Sequence, residues 1–246
     1  MSSLVAAHTR VLLLEQLRVP IGLAAGALFP AIALLAFVVP FAGDDPRAAT
    51  MATASLMLFG AMSQAIIGLA VTVSQDREQP WNPYVRTLPA GPFPRFAGRI
   101  LAAVVQILLG VVPVLLVAAL FTVAVITPVR LLAALATLVA GSVPFMLMGL
   151  CVGFLLTAKA AIAVSQLLFF PLGVLGGLLL PPQILPGVVE AVSPFTPARG
   201  VAELLWAVTA GTTPDGVALA ALAGWTVLAA VGAVWAYRRD EGRRFT

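Results

Sequence analysis

Residues 100–126 read ILAAVVQILLGVVPVLLVAALFTVAVI, a stretch without one charged side chain. A helix needs about 20 consecutive apolar residues to cross the hydrocarbon core of a bilayer, so this stretch is long enough to span a membrane. The whole chain shares this character, because 61% of its 246 residues are hydrophobic and only 10% are charged. Soluble domains have about 45–50% apolar and about 25% charged residues. The sequence therefore predicts an integral membrane protein.

Five other apolar stretches resemble the first and predict an all-α, polytopic membrane protein with six transmembrane helices. The predicted spans are residues 20–41, 51–73, 100–126, 131–156, 160–180 and 216–237. They leave no room for a large soluble domain, so residues 1–246 are expected to form a single transmembrane domain.

The basic residues are shared unevenly between the segments that connect these spans. Eleven of them fall on one side, namely Arg10, Arg18, Arg77, Arg86, Arg95, Arg99, Lys159, Arg238, Arg239, Arg243 and Arg244, and three fall on the other, namely Arg47, Arg130 and Arg199. Lysine and arginine concentrate in cytoplasmic loops. We therefore expect both termini in the cytoplasm and a multi-pass protein of the plasma membrane. The preference for arginine over lysine also points to a bacterial source.

Three segments are not expected to span the membrane. Residues 1–19 predict an interfacial elbow helix, with leucines on one face and charged residues opposite. Residues 74–99 predict a charged cytoplasmic loop. Residues 181–215 are too long and too apolar for a simple loop, and residues 184–192 and 197–208 each predict a short helix with re-entrant or interfacial packing.

The sequence offers no chemistry for catalysis or for ion coupling. No predicted span carries a charged residue in its middle, and the one histidine, His8, lies near the N-terminus. Ion-coupled carriers rely on such intramembrane groups. The one lysine, Lys159, stands in TAKA, without the preceding glycine or following Ser/Thr of a phosphate-binding loop. The chain is therefore not expected to be an enzyme by itself. The arginines form no basic stripe, so no nucleic-acid partner is expected.

Some uncharged polar residues and small-residue pairs lie within the spans. The polar candidates for lining a transport pathway are Ser63, Gln64, Gln106, Ser165 and Gln166. They would suit an apolar or amphiphilic cargo, but hydrogen bonding between helices is the simpler and favoured explanation. Glycine pairs at a spacing of four occur at Gly22/Gly26, Gly149/Gly153 and Gly173/Gly177, a spacing that lets helices approach closely.

Two segments carry a family resemblance. The first runs QDREQPW (75–81), RTLP (86–89) and then Arg99, and the second runs PLG (171–173), LPPQILP (180–186) and VSPFTP (192–197). In order and spacing they resemble the permease subunits of type-2 ABC exporters, a class that includes daunorubicin-resistance-type drug exporters and lipid and polysaccharide exporters. The resemblance extends over essentially the whole chain. One departure is Pro80-Trp81, where many members have a glycine step, and it leaves the start of the coupling helix open.

This resemblance implies roles for particular residues. A coupling helix in the loop between spans two and three would contact a separate ATPase subunit, with a smaller contact near Lys159; the residues concerned are Gln75, Asp76, Arg77, Glu78, Trp81, Arg86, Leu88 and Lys159. Gly22, Gly26, Gly173 and Gly177 would serve a permease dimer interface. Pro181, Pro182, Ile184, Pro186 and Phe195 would belong to an outer gate.

The function expected from these features is that of a permease subunit of an ABC exporter. It would pair with a second permease chain, identical or related, and with two copies of an ATP-binding subunit. Under this hypothesis the chain binds no cofactor or metal, and ATP and Mg²⁺ are held by the partner. The cargo would be a drug, a lipid or a lipid-linked compound. The alternatives are a membrane scaffold or assembly protein without transport activity, and a secondary carrier.

Overall fold

The computed structural model describes residues 2–18, 28–80, 93–179 and 186–242, and every regular element within these ranges is helical. The helices are α1 (Ser2–Arg18), α2 (Leu28–Ala42), α3 (Pro46–Glu78), α4 (Phe93–Phe121), α5 (Pro128–Leu155), α6 (Ala158–Leu175), α7 (Gly187–Val192), α8 (Pro197–Ala210) and α9 (Gly216–Gly242). A 3-10 turn, Ser193–Phe195, joins α7 to α8. The all-α architecture predicted from the sequence is confirmed.

Five of these helices, α3, α4, α5, α6 and α9, are long and apolar enough to cross a membrane. They correspond to the second to sixth predicted spans. The described part of the first predicted span, residues 20–41, is the shorter apolar helix α2, and residues 19–27 lie outside the described ranges. The chain is therefore a multi-pass membrane protein.

Helix α3 is longer than the predicted span 51–73 at both ends. It begins after Asp45, whose side chain accepts hydrogen bonds from the backbone N–H groups of Arg47 and Ala48 at 2.9 and 3.3 Å. It continues through a π-helical turn at Gln64–Gly68 and ends at Glu78. Helix α4 already begins at Phe93. Within the segment predicted as a loop at 74–99, residues 74–78 and 93–99 are therefore helical and residues 79–80 are not, while residues 81–92 lie outside the described ranges.

The core forms where α5 packs against α3 and α9. Gly149 of α5 lies against the π-helical turn of α3, so that a Cβ atom at this position would be only 2.8 Å from the carbonyl oxygen of Ile66. The backbones of the two helices thus approach as closely as the glycine pair Gly149/Gly153 predicts. Helix α5 itself is interrupted at Ser142, because Pro144 has no N–H to continue the hydrogen-bond ladder.

The two short helices predicted between spans five and six are both present. Helix α7 is mostly exposed, whereas α8 packs against α3, α9 and the first half of α5. Ala198, Val201 and Leu205 of α8 are fully buried. The N-terminus of α8 is capped by Thr196, and its C-terminus by Gly211 in the left-handed conformation, with φ of 70°. Helix α8 is therefore part of the packed core.

Helix α1 packs against the beginning of α4. The hydroxyl of Thr9 donates to the carbonyl of Val5 at 2.9 Å and lies 3.4 Å from the carbonyl oxygen of Gly98 in α4. Leu4, Val11 and Leu14 are exposed on other faces of α1. The predicted helix in residues 1–19 is thus present, and the exposed leucines fit the interfacial position expected for it.

Candidate functional site

The C-terminal ends of three helices, α3, α5 and α9, meet the N-terminal ends of α4 and α6. This region is called the arginine-rich end because Arg77, Arg99 and Arg239 lie there. The consecutive residues Asp76, Arg77 and Glu78 occupy the last turn of α3. Asp76 forms an ion pair with Arg99 of α4. The Oε1 atom of Glu78 accepts a hydrogen bond from the backbone N–H of Ala158, at the first turn of α6, at 2.9 Å. Each of the two carboxylates thus connects α3 to a different helix.

Arg77 joins three helices at this end. Its guanidinium approaches one carboxylate oxygen of Asp240 in α9 with Nε at 2.8 Å and a terminal nitrogen at 2.7 Å. The other terminal nitrogen donates to the carbonyl oxygens of Gly153 and Leu156, at 2.9 and 3.0 Å. These carbonyls belong to the C-terminal end of α5, where helical carbonyls lack intrahelical partners. Arg77, Asp240 and these two carbonyls are called the Arg77 hub.

The hub is largely withdrawn from solvent. The side chain of Asp240 is 2% exposed and that of Arg77 is 18% exposed. Charges taken out of water are stable only when they are paired and hydrogen-bonded, and removing one partner strands the other. Arginine suits this position because its planar guanidinium presents several donors in a fixed geometry, whereas lysine offers one compact charge.

An aromatic cluster joins α4, α5 and α9 next to the hub. The ring of Tyr237 meets Phe96 and Phe154 edge to face, with centroids 4.8 and 5.4 Å apart, and Phe96 and Phe154 are 5.7 Å apart. Such edge-to-face pairs add about 0.5–1.5 kcal/mol each beyond the burial of their surfaces. The Tyr237 hydroxyl also donates to Glu241. The arginine-rich end is therefore held together by both polar and aromatic contacts.

The residues predicted to contact an ATPase divide into three groups in the structure. Gln75, Glu78 and Lys159 are exposed at the arginine-rich end. Asp76 and Arg77 are only partly exposed, and both form ion pairs within the chain. Trp81, Arg86 and Leu88 lie outside the described residues. Sequence reasoning missed Asp240, because it lies 163 residues from Arg77 and stands in a run of charged residues, RRDEGRR, with nothing to single it out.

A cavity of about 980 Å³ opens near the opposite end of the protein, between α2, α3, α8 and the residues that follow α6. Its walls are mainly apolar and include Phe29, Phe37, Met51, Leu56 and Leu178. The volume and apolar lining are typical of sites that bind small molecules.

A few polar groups interrupt the apolar lining of this cavity. Asp45, Arg47, Ser55, Trp206 and Thr212 contribute to its wall. The indole Nε1–H of Trp206 in α8 donates to the hydroxyl of Ser55 in α3 at 3.0 Å. This buried hydrogen bond fixes α8 to α3 beside the cavity, while the carboxylate of Asp45 is engaged in capping α3. The cavity therefore combines apolar walls with polar groups in a few places.

The five polar residues predicted to line a pathway do not border this cavity in the part of the chain that the structure describes. Ser165 is buried and donates to the carbonyl of Ile162 in its own helix at 3.0 Å. Gln106 is buried in α4 and Gln166 is exposed on α6. Ser63 and Gln64 are half-buried, Ser63 directly before the π-helical turn of α3 and Gln64 as its first residue. The structure thus scatters these residues and brings Ser55 and Trp206 to the cavity.

The residues predicted for a dimer interface and an outer gate are placed as follows. Gly173 is buried against Phe59, and a Cβ atom there would lie 2.7 Å from its ring. Gly177 has φ of 70° just after α6 ends. Phe195 is exposed, and its carbonyl oxygen accepts a hydrogen bond from Trp225 Nε1 at 2.9 Å. Pro186 precedes α7. Gly22, Gly26, Pro181, Pro182 and Ile184 lie outside the described residues.

Comparison with known proteins places this helical architecture in a family. Residues 4–208 match the family described as "ABC-2 type transporter". The chain belongs to the ABC-2 type transporter family. The match extends from α1 through most of α8, and it confirms the resemblance seen in the sequence.

A curated relative agrees with this assignment. The chain is 21% identical over 160 residues to a Bacillus subtilis (strain 168) protein named "Putative transport permease YvfS". The aligned region covers 65% of this chain and 65% of that protein. The chain is therefore a multi-pass membrane protein of a transporter family.

Proposed function

We propose that this ABC-2 family chain is the permease of an exporter that moves a hydrophobic or amphiphilic compound, such as a drug, a lipid or a lipid-linked molecule. The observation that supports this cargo class is the cavity of about 980 Å³ with its mainly apolar wall. An apolar wall favours an apolar body, and the polar groups of Ser55 and Arg47 can hydrogen-bond a polar part of the same molecule.

The distribution of charge supports an orientation of the chain in the membrane. The arginine-rich end carries most of the basic residues, so it is assigned to the cytoplasm together with both termini. The cavity then lies toward the outer side of a bacterial plasma membrane, the side on which the proposed exporter would release its cargo.

The energy source in this proposal is a separate ATP-binding subunit that holds ATP and Mg²⁺. We name Gln75, Glu78 and Lys159 the docking surface, because these exposed residues lie at the cytoplasmic ends of α3 and α6. Glu78 bonds the N–H of Ala158, next to Lys159, so the two helix ends form one surface. Two copies of the ATP-binding subunit would bind a pair of permease chains, identical or related, and the four chains would form the transporter.

The test is copurification of the tagged chain with an ATP-binding subunit, followed by measurement of their affinity. Lys159→Glu is expected to weaken association about fivefold, which corresponds to about 1 kcal/mol, because it reverses a charge on the docking surface. The matched control is Arg130→Glu, which reverses an exposed charge at the opposite end. If no ATP-binding subunit copurifies with the wild-type chain, the proposal fails and a scaffold role replaces it.

A further inference from the structure

We propose that Arg77 is a positioning residue that transmits movement of the docking surface to α5 and α9, rather than a contact to the ATPase itself. This inference rests on the proposed function. Family resemblance implied an external contact for Asp76 and Arg77, but both side chains pair within the chain. Arg77 donates hydrogen bonds to Asp240, Gly153 and Leu156.

The position of Arg77 in the chain makes it suited to this task. It lies in the last turn of α3, between the exposed residues Gln75 and Glu78 of the docking surface. The helix ends directly afterwards, because Gln79 adopts an extended backbone conformation. Any displacement of the docking surface therefore displaces the backbone of Arg77, and the guanidinium carries that displacement inward.

The contacts of the guanidinium determine which helices follow. Two nitrogens hold Asp240 of α9, and a third holds the carbonyl oxygens that end α5. Separating Arg77 from Asp240 would strand a carboxylate that is almost wholly buried, which is costly. The ends of α3, α5 and α9 are thus expected to move together, and the cluster of Phe96, Phe154 and Tyr237 adds α4 to this unit.

Helix α3 connects this unit to the cavity. Its 33 residues run from Glu78 at the docking surface to Pro46, and Met51, Ser55 and Leu56 of its far half line the cavity. The hydrogen bond between Ser55 and Trp206 adds α8 on the same side of the cavity. Helix α2 lies on another side, so movement of the α3 unit relative to α2 changes the width of the cavity.

The experiment measures this coupling without needing the cargo. In a Cys151→Ala background, Ala48→Cys places one cysteine in the cavity wall. The full permease is purified with its ATP-binding subunit in membrane vesicles. The labelling rate of this cysteine by a maleimide is compared without nucleotide and with ATP plus orthovanadate. ATP turnover, subunit association and thermal stability are measured on the same samples.

The variants are Arg77→Lys and Asp240→Asn, with Arg239→Lys as the control. Arg239 is exposed and neighbours Asp240, and its guanidinium carbon lies 5.1 Å from the centroid of the Trp235 ring. Its replacement therefore makes the same change from arginine to lysine at a position outside the hub. The two hub variants are expected to reduce the nucleotide-dependent change in labelling at least about fivefold per assembled complex, because lysine cannot hold Asp240 and both carbonyls together. The partner subunit should remain bound and continue to hydrolyse ATP, and the control should respond as the wild type does.

Three results would overturn the inference. Loss of ATPase binding by folded hub variants would make Arg77 an external contact. A labelling response that falls only in proportion to the amount of folded complex would show that the hub stabilises the fold and does not transmit movement. An unchanged response in both variants would show that the hub carries no coupling. If the wild-type chain binds no ATP-binding subunit, the proposed function fails first, and that result is distinct because it needs no variant.

Discussion

Replacing Gly149 by alanine should destabilise the protein, because the contact between α5 and α3 leaves no room for a side chain. A Cβ atom at this position would lie 2.8 Å from the carbonyl oxygen of Ile66 and 3.2 Å from its Cα, and closer still to the carbonyl oxygen of Ala65. Carbon and carbonyl oxygen rarely approach within about 3.3 Å. These atoms belong to backbone, so the two helices must move apart by about half an ångström or more.

The loss of stability can be worked out from the contacts that this separation of the two helices weakens. A radial gap of about 0.5–1 Å forfeits about a quarter to a half of each dispersion contact across the interface. Overpacking of this kind costs about 1–3 kcal/mol, and the helical preference of alanine over glycine returns up to about 1 kcal/mol. A net loss of about 1–2 kcal/mol lowers Tm by about 2–8 °C in a chain of this size.

The assay is thermal unfolding of the purified, fluorescently tagged chain in detergent. The folded fraction that remains after heating is measured by size-exclusion chromatography. Gly224→Ala is the matched control, because no atom lies within 4 Å of a Cβ placed at Gly224 of α9. The control should leave Tm unchanged or raise it. A Gly149→Ala protein that unfolds within about 1 °C of the wild type, or a control that falls equally far, would refute the packing argument.

Two further substitutions test the capping and the cavity. Trp206→Phe should lower the free energy of unfolding by about 1 kcal/mol and Tm by about 2–4 °C, because it removes the buried hydrogen bond to Ser55 while keeping an aromatic ring. Equal stability of the variant and the wild type would show that this hydrogen bond contributes nothing. Asp45→Ala should cost about 1 kcal/mol by uncapping α3, and Asp45→Asn should recover most of the loss in the same thermal assay; failure of asparagine to rescue would contradict a capping role.

The membrane-spanning character of this protein could be read from residue type alone. Long runs without charge must be shielded from water, and in lipid a helix satisfies its own backbone hydrogen bonds, so spans two to six follow directly from hydropathy. The short helices α7 and α8 could also be predicted, because proline affects the backbone of the few residues next to it. Pro186 stands directly before α7, and Pro197 is the first residue of α8, where its missing N–H leaves no helical hydrogen bond unmade.

Contacts between distant helices depended on the tertiary structure. Arg77 and Asp240 are 163 residues apart, and nothing in either neighbourhood shows that the two helix ends meet. The cavity illustrates the same limit on a smaller scale, because Ser55 and Ser63 are both polar positions on α3 and only Ser55 lines the cavity. Composition establishes that a helix crosses the bilayer, but lipid is equally apolar on every side of it. The rotation of each helix about its axis is therefore set by packing against its neighbours.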